Sequence, residues 1–169
     1  MMTIWSSPPY VGTSIQFFQC YADGETKPLG DYALAMVAGP PVNVTYVAPG
    51  SDPAALAPPT GFAWLLDDKG SGNFQNLNYW LPIAPDGYRA MGVCFTNGDV
   101  PDVSSYWCVA ERYCVPCEQS SYWSDSGQGF AHHDGSLARP SLPQAAPGVT
   151  VPTTFISSGG PAPLALRTD

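Results

Sequence analysis

No window of this chain longer than ten residues carries the 3.6-residue apolar period of a helix that buries one face. The interruptions are proline and glycine: 19 Pro and 17 Gly are spread through the sequence, and few apolar runs outlast their reach. Such punctuation would suit a disordered chain if aromatics were scarce, but 5 Trp, 9 Tyr and 7 Phe supply the payload of a real core. Short strands joined by many turns reconcile the two facts. The expected strands are Ser14 to Cys20, Tyr32 to Ala38, Val42 to Val47, Gly61 to Leu66, Leu77 to Leu81, Ala90 to Thr96, Tyr106 to Ala110, Ser120 to Trp123, Val149 to Ile156 and Leu164 to Leu166. Ala48 to Pro59, with four prolines, is expected to be a loop that leaves room for a single helical turn at Asp52 to Leu56. The reading is all-β, with residues 1–169 forming one domain and no internal linker.

A repeat sharpens the architecture. Asp68-Lys69-Gly70-Ser71-Gly72 returns 57 residues later as Asp125-Ser126-Gly127-Gln128-Gly129. Each copy follows an aromatic strand and precedes a segment ending in proline, Tyr79-Trp80-Leu81-Pro82 in one and Leu137-Ala138-Arg139-Pro140 in the other. The two related units thus lie near 64–82 and 122–140, and Gly30-Asp31-Tyr32 offers only a loose third copy. An aspartate beside paired glycines makes a tight turn, with the carboxylate capping amides and glycine taking positive φ. Repeated strand–turn–strand units predict a closed or pseudo-symmetric β architecture, because closure leaves no sheet edge exposed.

The segment Trp64 to Val115 resembles the fungal and plant family named for vacuolar protein sorting-associated protein 62. The matching features are Asp68-Lys69-Gly70-Ser71-Gly72, Tyr79-Trp80-Leu81-Pro82, Pro85-Asp86-Gly87-Tyr88-Arg89-Ala90-Met91-Gly92-Val93, Pro101 and Cys108-Val109. The turn from Trp123 to Pro140 is similar to the same family's Trp-x-Asp-x-Gly-x-Gly unit, bringing the likeness to about half the chain. It implies a β-prism: short-stranded antiparallel sheets, three of them with four strands each, around a pseudo-threefold axis, as in jacalin-type lectins. Related prisms occur as lectins and as targeting modules of toxins, so the resemblance implies glycan or lipid-headgroup binding. The chain departs from the family at Ala138, which stands where a Trp is expected, and no motif matches in its N-terminal third.

Charge and motifs exclude much else. Fourteen Asp and Glu against six Lys and Arg give a net charge of -8, which repels a phosphate backbone or an anionic membrane. The six basic residues Lys27, Lys69, Arg89, Arg112, Arg139 and Arg167 are scattered and form no nucleic-acid funnel. No G-x-S-x-G elbow is present, the adjacent carboxylates Asp67-Asp68 would diverge on a strand, and neither Gly-rich turn has the lysine of a phosphate loop. No catalysis and no cofactor are expected. His132-His133 with Asp125 and Asp134 could assemble a metal site only with a further ligand, since neighbouring histidines on a strand face opposite ways; a solvated turn is the expected reading. Calcium would need acidic oxygens at a spacing the turns lack.

The five cysteines are an odd set. Cys114 and Cys117 have thioredoxin-like spacing with no helix after them, so a local disulfide or two inert thiols are expected; Cys94 and Cys108 are read either as a cross-strand disulfide or as core packing. The N-terminus has neither a basic start nor an apolar run and does not read as a signal peptide, and no apolar run is long enough for a transmembrane helix. Extracellular and cytoplasmic settings both stay open. Should the chain be secreted by a eukaryote, Asn43-Val44-Thr45 is a glycan acceptor.

What remains is binding through loops. Trp64, Asp68, Gly70 and Asn73 form one candidate set for a sugar or headgroup, and Trp123, Asp125, Gly127 and Gln128 form a second. In each the aromatic face would stack and the polar groups would hydrogen-bond. The competing reading is structural, with aspartates fixing turns and tryptophans filling the core. A protein-interaction or toxin-targeting module without a small-molecule ligand, using Pro40-Pro41 and Ala54 to Phe62, is the functional alternative.

Overall fold

The computed structural model describes residues 1–6, 14–35, 44–127 and 133–169. Gln128, Gly129, His132, Asn43 and Pro40-Pro41 therefore lie outside the described residues. The fold is all-β; among the described residues helical geometry is confined to two single 3-10 turns, Val103–Ser105 and Glu111–Tyr113. Its frame is three antiparallel hairpins, each with an extra partner. Met2–Ser6 pairs with Ile15–Gln19, which also pairs with Tyr32–Ala35. Gly61–Asp67 pairs with Asn78–Ile83, which also pairs with Cys94–Thr96. Glu118–Ser124 pairs with Ser136–Ser141, where Ala138 forms a bridge to Ile156.

The three hairpins share one irregularity. Each hairpin is interrupted once, between Thr3 and Trp5, between Trp64 and Leu66, and between Ser121 and Trp123. An extra residue at that point bends the strand and tightens its twist, which is what wraps three flat ribbons around one axis. At the other end the units repeat a smaller pairing: Lys27–Pro28 with Tyr46–Val47, Tyr88–Arg89 with Cys108–Ala110, and Val149–Thr150 with Leu164–Arg167. The three four-stranded sheets implied by the resemblance are thus split, each unit dividing into a hairpin sheet and a smaller one, to which Leu56–Ala57 adds a third strand beside Cys108–Ala110 and Cys114–Pro116 a third beside Leu164–Arg167. Prolines and glycines at the crossovers, such as Pro28 and Gly30, break the ladder between them.

Residues 31, 93 and 155 stand 62 apart and meet at the axis, where the Asp31 amide donates to the Val93 carbonyl at 2.9 Å and the Val93 amide to that of Phe155 at 2.9 Å. Backbones approach so closely here that a Cβ on Gly30 would lie 2.8 Å from the Val93 carbonyl oxygen, and one on Gly92 2.9 Å from Thr154 Cβ. Around the axis the hairpins contribute aromatics to one core. Phe17, Tyr79, Phe95 and Trp123 meet at centroid distances of 4.8–6.0 Å, mostly edge to face. Asp31 is the buried charged residue among the described residues, 1% exposed, its carboxyl group accepting from the amides of Cys20 and Phe95 and from the Tyr106 hydroxyl.

Several sequence expectations change. The N-terminal third is a full unit, its first strand made by Met2–Ser6. Asp52 to Leu56 is not helical: the Ala55 amide returns to the Asp52 carbonyl in a turn, and Leu56–Ala57 is a strand. Ala90 to Thr96 and Val149 to Ile156 shrink to Cys94–Thr96 and Val149–Thr150, because the segments beside them cross the axis. All five cysteines are free thiols. Cys114 leads a strand, so Cys117 three residues on lies roughly 10 Å away, beyond a disulfide's reach. Cys94 packs with Trp80 and Tyr106.

Candidate functional site

The two Asp-x-Gly-x-Gly turns close the second and third hairpins by the same device. The Asp68 amide donates to the Leu77 carbonyl, and the Leu77 amide returns the bond to the Asp68 carboxylate. In the third hairpin Asp125 and Gly135 exchange the equivalent pair. The second carboxylate oxygen of Asp68 accepts from the Ser71 hydroxyl at 3.0 Å. Gly70, Gly72 and Gly127 have φ of 90°, 83° and 72°, the left-handed turn geometry that the repeat predicts. Both aspartates therefore clamp hairpin necks, and burial raises the Asp125 pKa against the pull of the Gly135 amide.

The tryptophans of the two sets divide. Trp123 is 7% exposed and packs edge-on against Phe17, so its ring fills the core rather than offering a face to a ligand. The position explains it, since Trp123 pairs with Leu137 on the inward face of the third hairpin. Trp64 is 47% exposed; its indole N–H donates to Asn78 Oδ1 at 3.2 Å, and its ring meets His133 edge to face at 5.9 Å. His133 also approaches Asp67, 3.7 Å away. Among the described residues no group of three or more His, Cys, Asp or Glu is placed to hold a metal ion.

The structure brings the described members of the two candidate sets toward one end of the prism. The second hairpin touches the third through Trp64 and His133, and it touches the first where Asn73 Nδ2 donates to the Ser6 carbonyl at 2.8 Å. Asn73 is thus held, its amide bonded to Ser71 Oγ, and the next residue, Phe74, projects fully exposed. Thr3, Ser6, Asn73 and Phe74 line a cleft of about 320 Å³ between these two hairpins. Phe74 was missed in the sequence because Phe74-Gln75 reads as ordinary loop, and only the hairpin register shows the ring at a tip. Gly70 and Gly127 serve the turns by conformation. The described part of this end offers one exposed indole, one exposed phenyl ring and fixed amide and hydroxyl groups.

Pro85 to Arg89, the most distinctive stretch of the resemblance, serves structure instead. Tyr88 donates from its amide to the Pro85 carbonyl across a turn with Gly87 at φ 81°, its hydroxyl bonds the Ala54 carbonyl, and Arg89 pairs with Glu111 at 2.8 Å.

The sequence profile described as Vacuolar protein sorting-associated protein 62 matches residues 2–159, so the likeness extends through the N-terminal third where no motif was legible. Among solved structures, GNIP1Aa from Chromobacterium piscinae is similar with a TM-score of 0.67 and 25% identity over 93% of this chain. The match covers 31% of that protein, so the chain spans about a third of its length. No curated protein sequence matches.

Proposed function

The chain belongs to the vacuolar protein sorting-associated protein 62 family, and from that premise we propose that it is a non-catalytic binding module whose hairpin end recognises neutral glycans or zwitterionic lipid headgroups. The observation that carries this reading is the convergence of the hairpins at one end, with Trp64 and Phe74 exposed beside fixed polar groups. A fully exposed phenyl ring costs solvation free energy that only a partner surface returns, since burying such a side chain is worth about 1.5–3 kcal/mol. An indole face beside amides and hydroxyls suits the apolar side of a sugar ring. The net charge of -8 favours neutral or zwitterionic ligands over anionic ones. The β-rich relative GNIP1Aa, a longer protein, is consistent with such a module serving inside a larger chain. Among the described residues no helix is long and apolar enough to cross a membrane, so the reading places the module on a surface by contact.

Shallow loop sites are weak singly and gain by multiplicity. The test therefore uses multivalent surfaces: immobilised neutral glycans and phosphatidylcholine vesicles. The W64A/F74A double variant should bind at least fivefold less than wild type on whichever surface the wild type recognises, with its thermal midpoint little changed. Undiminished binding by the folded double variant would remove the hairpin end from the site. Silence of the wild type on both surfaces would leave the protein-interaction reading in its place.

A further inference from the structure

The three hairpins differ most at one layer, just before the bulge. There the first hairpin pairs Thr3 with Phe18, the second pairs Trp64 with Trp80, and the third pairs Ser121 with Ala138. Alternate residues of a strand point to opposite faces, so this layer looks away from the core that Trp123 and Leu137 enter. In the second unit the layer is filled. Trp80 packs with Cys94, Tyr106 and Phe62, and its indole N–H donates to Thr96 at 2.8 Å. In the third unit Ala138 replaces that indole and bridges Ile156, while Ser158 occupies the place of Thr96, two residues beyond the bridge as Thr96 is beyond Cys94.

Beside this unfilled layer lies a half-open groove of about 670 Å³, within the roughly 300–1,000 Å³ of small-ligand sites. Ser121, Ser124, Ser136, Ser157 and Ser158 line it with Gln119, Ala138 and Ile156, the strand neighbours Tyr122, Trp123 and Leu137 also border it, and none of these residues is charged. Ser157 supplies a second, independent observation. It is 7% exposed, and its hydroxyl has no hydrogen-bond partner among the described residues. A buried hydroxyl without a partner is costly; the Ser157 oxygen is enclosed beneath the groove wall, and a rotation of its side chain toward the groove would let a ligand oxygen satisfy it.

We infer that this groove on the outer face of the third sheet is a second ligand site, one that takes a neutral sugar ring in the space an indole fills in the second unit. A pyranose suits it: a compact chair-form ring with an apolar C–H face for Ala138 and Ile156, and uncharged hydroxyls at the rim for the serines. The inference rests on the reading that the module recognises neutral sugars, and it adds a site whose lining includes neither Trp64 nor Phe74. It also provides the multiplicity that weak sites need.

The test uses W64A/F74A, in which the hairpin end is disabled, and soluble neutral trisaccharides of glucose, mannose, galactose and N-acetylglucosamine. Saturation-transfer NMR should show millimolar-range binding of at least one of them. Adding Ala138→Trp, which rebuilds the filled layer, should lower that binding at least tenfold. Adding Ser157→Ala instead should lower it at least threefold while the thermal midpoint holds or rises, whereas a purely structural hydroxyl would lower the midpoint. Ser157→Ala decides the matter alone if the tryptophan variant does not fold. A silent W64A/F74A background, or a folded groove variant binding within twofold of it, overturns the groove and leaves the hairpin-end reading standing provided the wild type binds. A wild type silent on trisaccharides and phosphatidylcholine vesicles alike sinks both.

Discussion

Three residues at the axis show how little freedom this fold leaves a side chain. Gly30 and Gly92 occupy places where a Cβ would meet backbone or Thr154 at under 3 Å. Gly92→Ala should therefore cost about 1–3 kcal/mol through overpacking, read as a lowered denaturant midpoint with the slope unchanged. Asp31 raises a different question, because a carboxylate enclosed in an aromatic core is held by three donors and surrounded by Cys20, Cys94 and Tyr106. Burial pushes its pKa up to about 7, with the amides of Cys20 and Phe95 pulling the other way. A folded pKa above the unfolded one means that the native state holds the proton more tightly. That stabilisation is complete below the unfolded pKa near 4 and is lost as pH rises through 7. Thermal midpoints should accordingly fall between pH 5 and pH 8, and D31N should be less stable than wild type at pH 5 but show a flatter pH profile. A parallel profile in D31N would place the dependence elsewhere. The thiols make a third case: burial raises Cys20 and Cys108 to about 12 and Cys114 to about 11. Native protein at pH 8 should thus react with a soluble disulfide reagent at no more than the half-exposed Cys117, and all five should react after unfolding.

Hairpins carry the legible part of the sequence. Asp-x-Gly-x-Gly was readable because a tight turn with positive φ leaves few residue choices, and Gly70, Gly72 and Gly127 take that geometry. The same repeat did not disclose what the aspartates hold, because their partners, Leu77 and Gly135, lie nine and ten residues away across the hairpin neck. D68A and D125A should each lose about 1–2 kcal/mol by leaving that amide unpaired, a fall of roughly 2–8 °C in Tm. A change under 1 °C in either would show the clamp to be dispensable. Trp64 and Trp123 looked alike in sequence, each an aromatic shortly before a turn, yet one is exposed and the other is core. The single-residue bulge decides between them by reversing the faces of the strand, and no residue type announces it. Met2–Ser6 escaped notice for a related reason: five residues without turn signals at their start give no period to count.

The pseudo-threefold plan belongs to the whole molecule, and the chain states it most clearly at the axis, in Gly30-Asp31-Tyr32 and Gly92-Val93-Cys94, 62 residues apart. The hairpin repeat at 57 residues obscured that period because loop lengths differ between units. Symmetry of backbone without symmetry of side chains then gives the ends and faces separate characters: one end exposes Trp64 and Phe74, and one face exchanges indoles for serines. Evolution of such a frame can alter a ligand surface while the aromatic core and the axis stay fixed, since the two are supplied by alternate residues of the same strands. The most direct test of the hairpin end is hydrogen–deuterium exchange with and without phosphatidylcholine vesicles, or with the best immobilisable glycan presented in solution. Slowed exchange should concentrate in residues 68–77 and the neighbouring turn at 125–127, with the short ribbons around Tyr88–Arg89 and Val149–Thr150 unchanged. Protection confined to those ribbons, with residues 68–77 exchanging as in the free protein, would contradict the account.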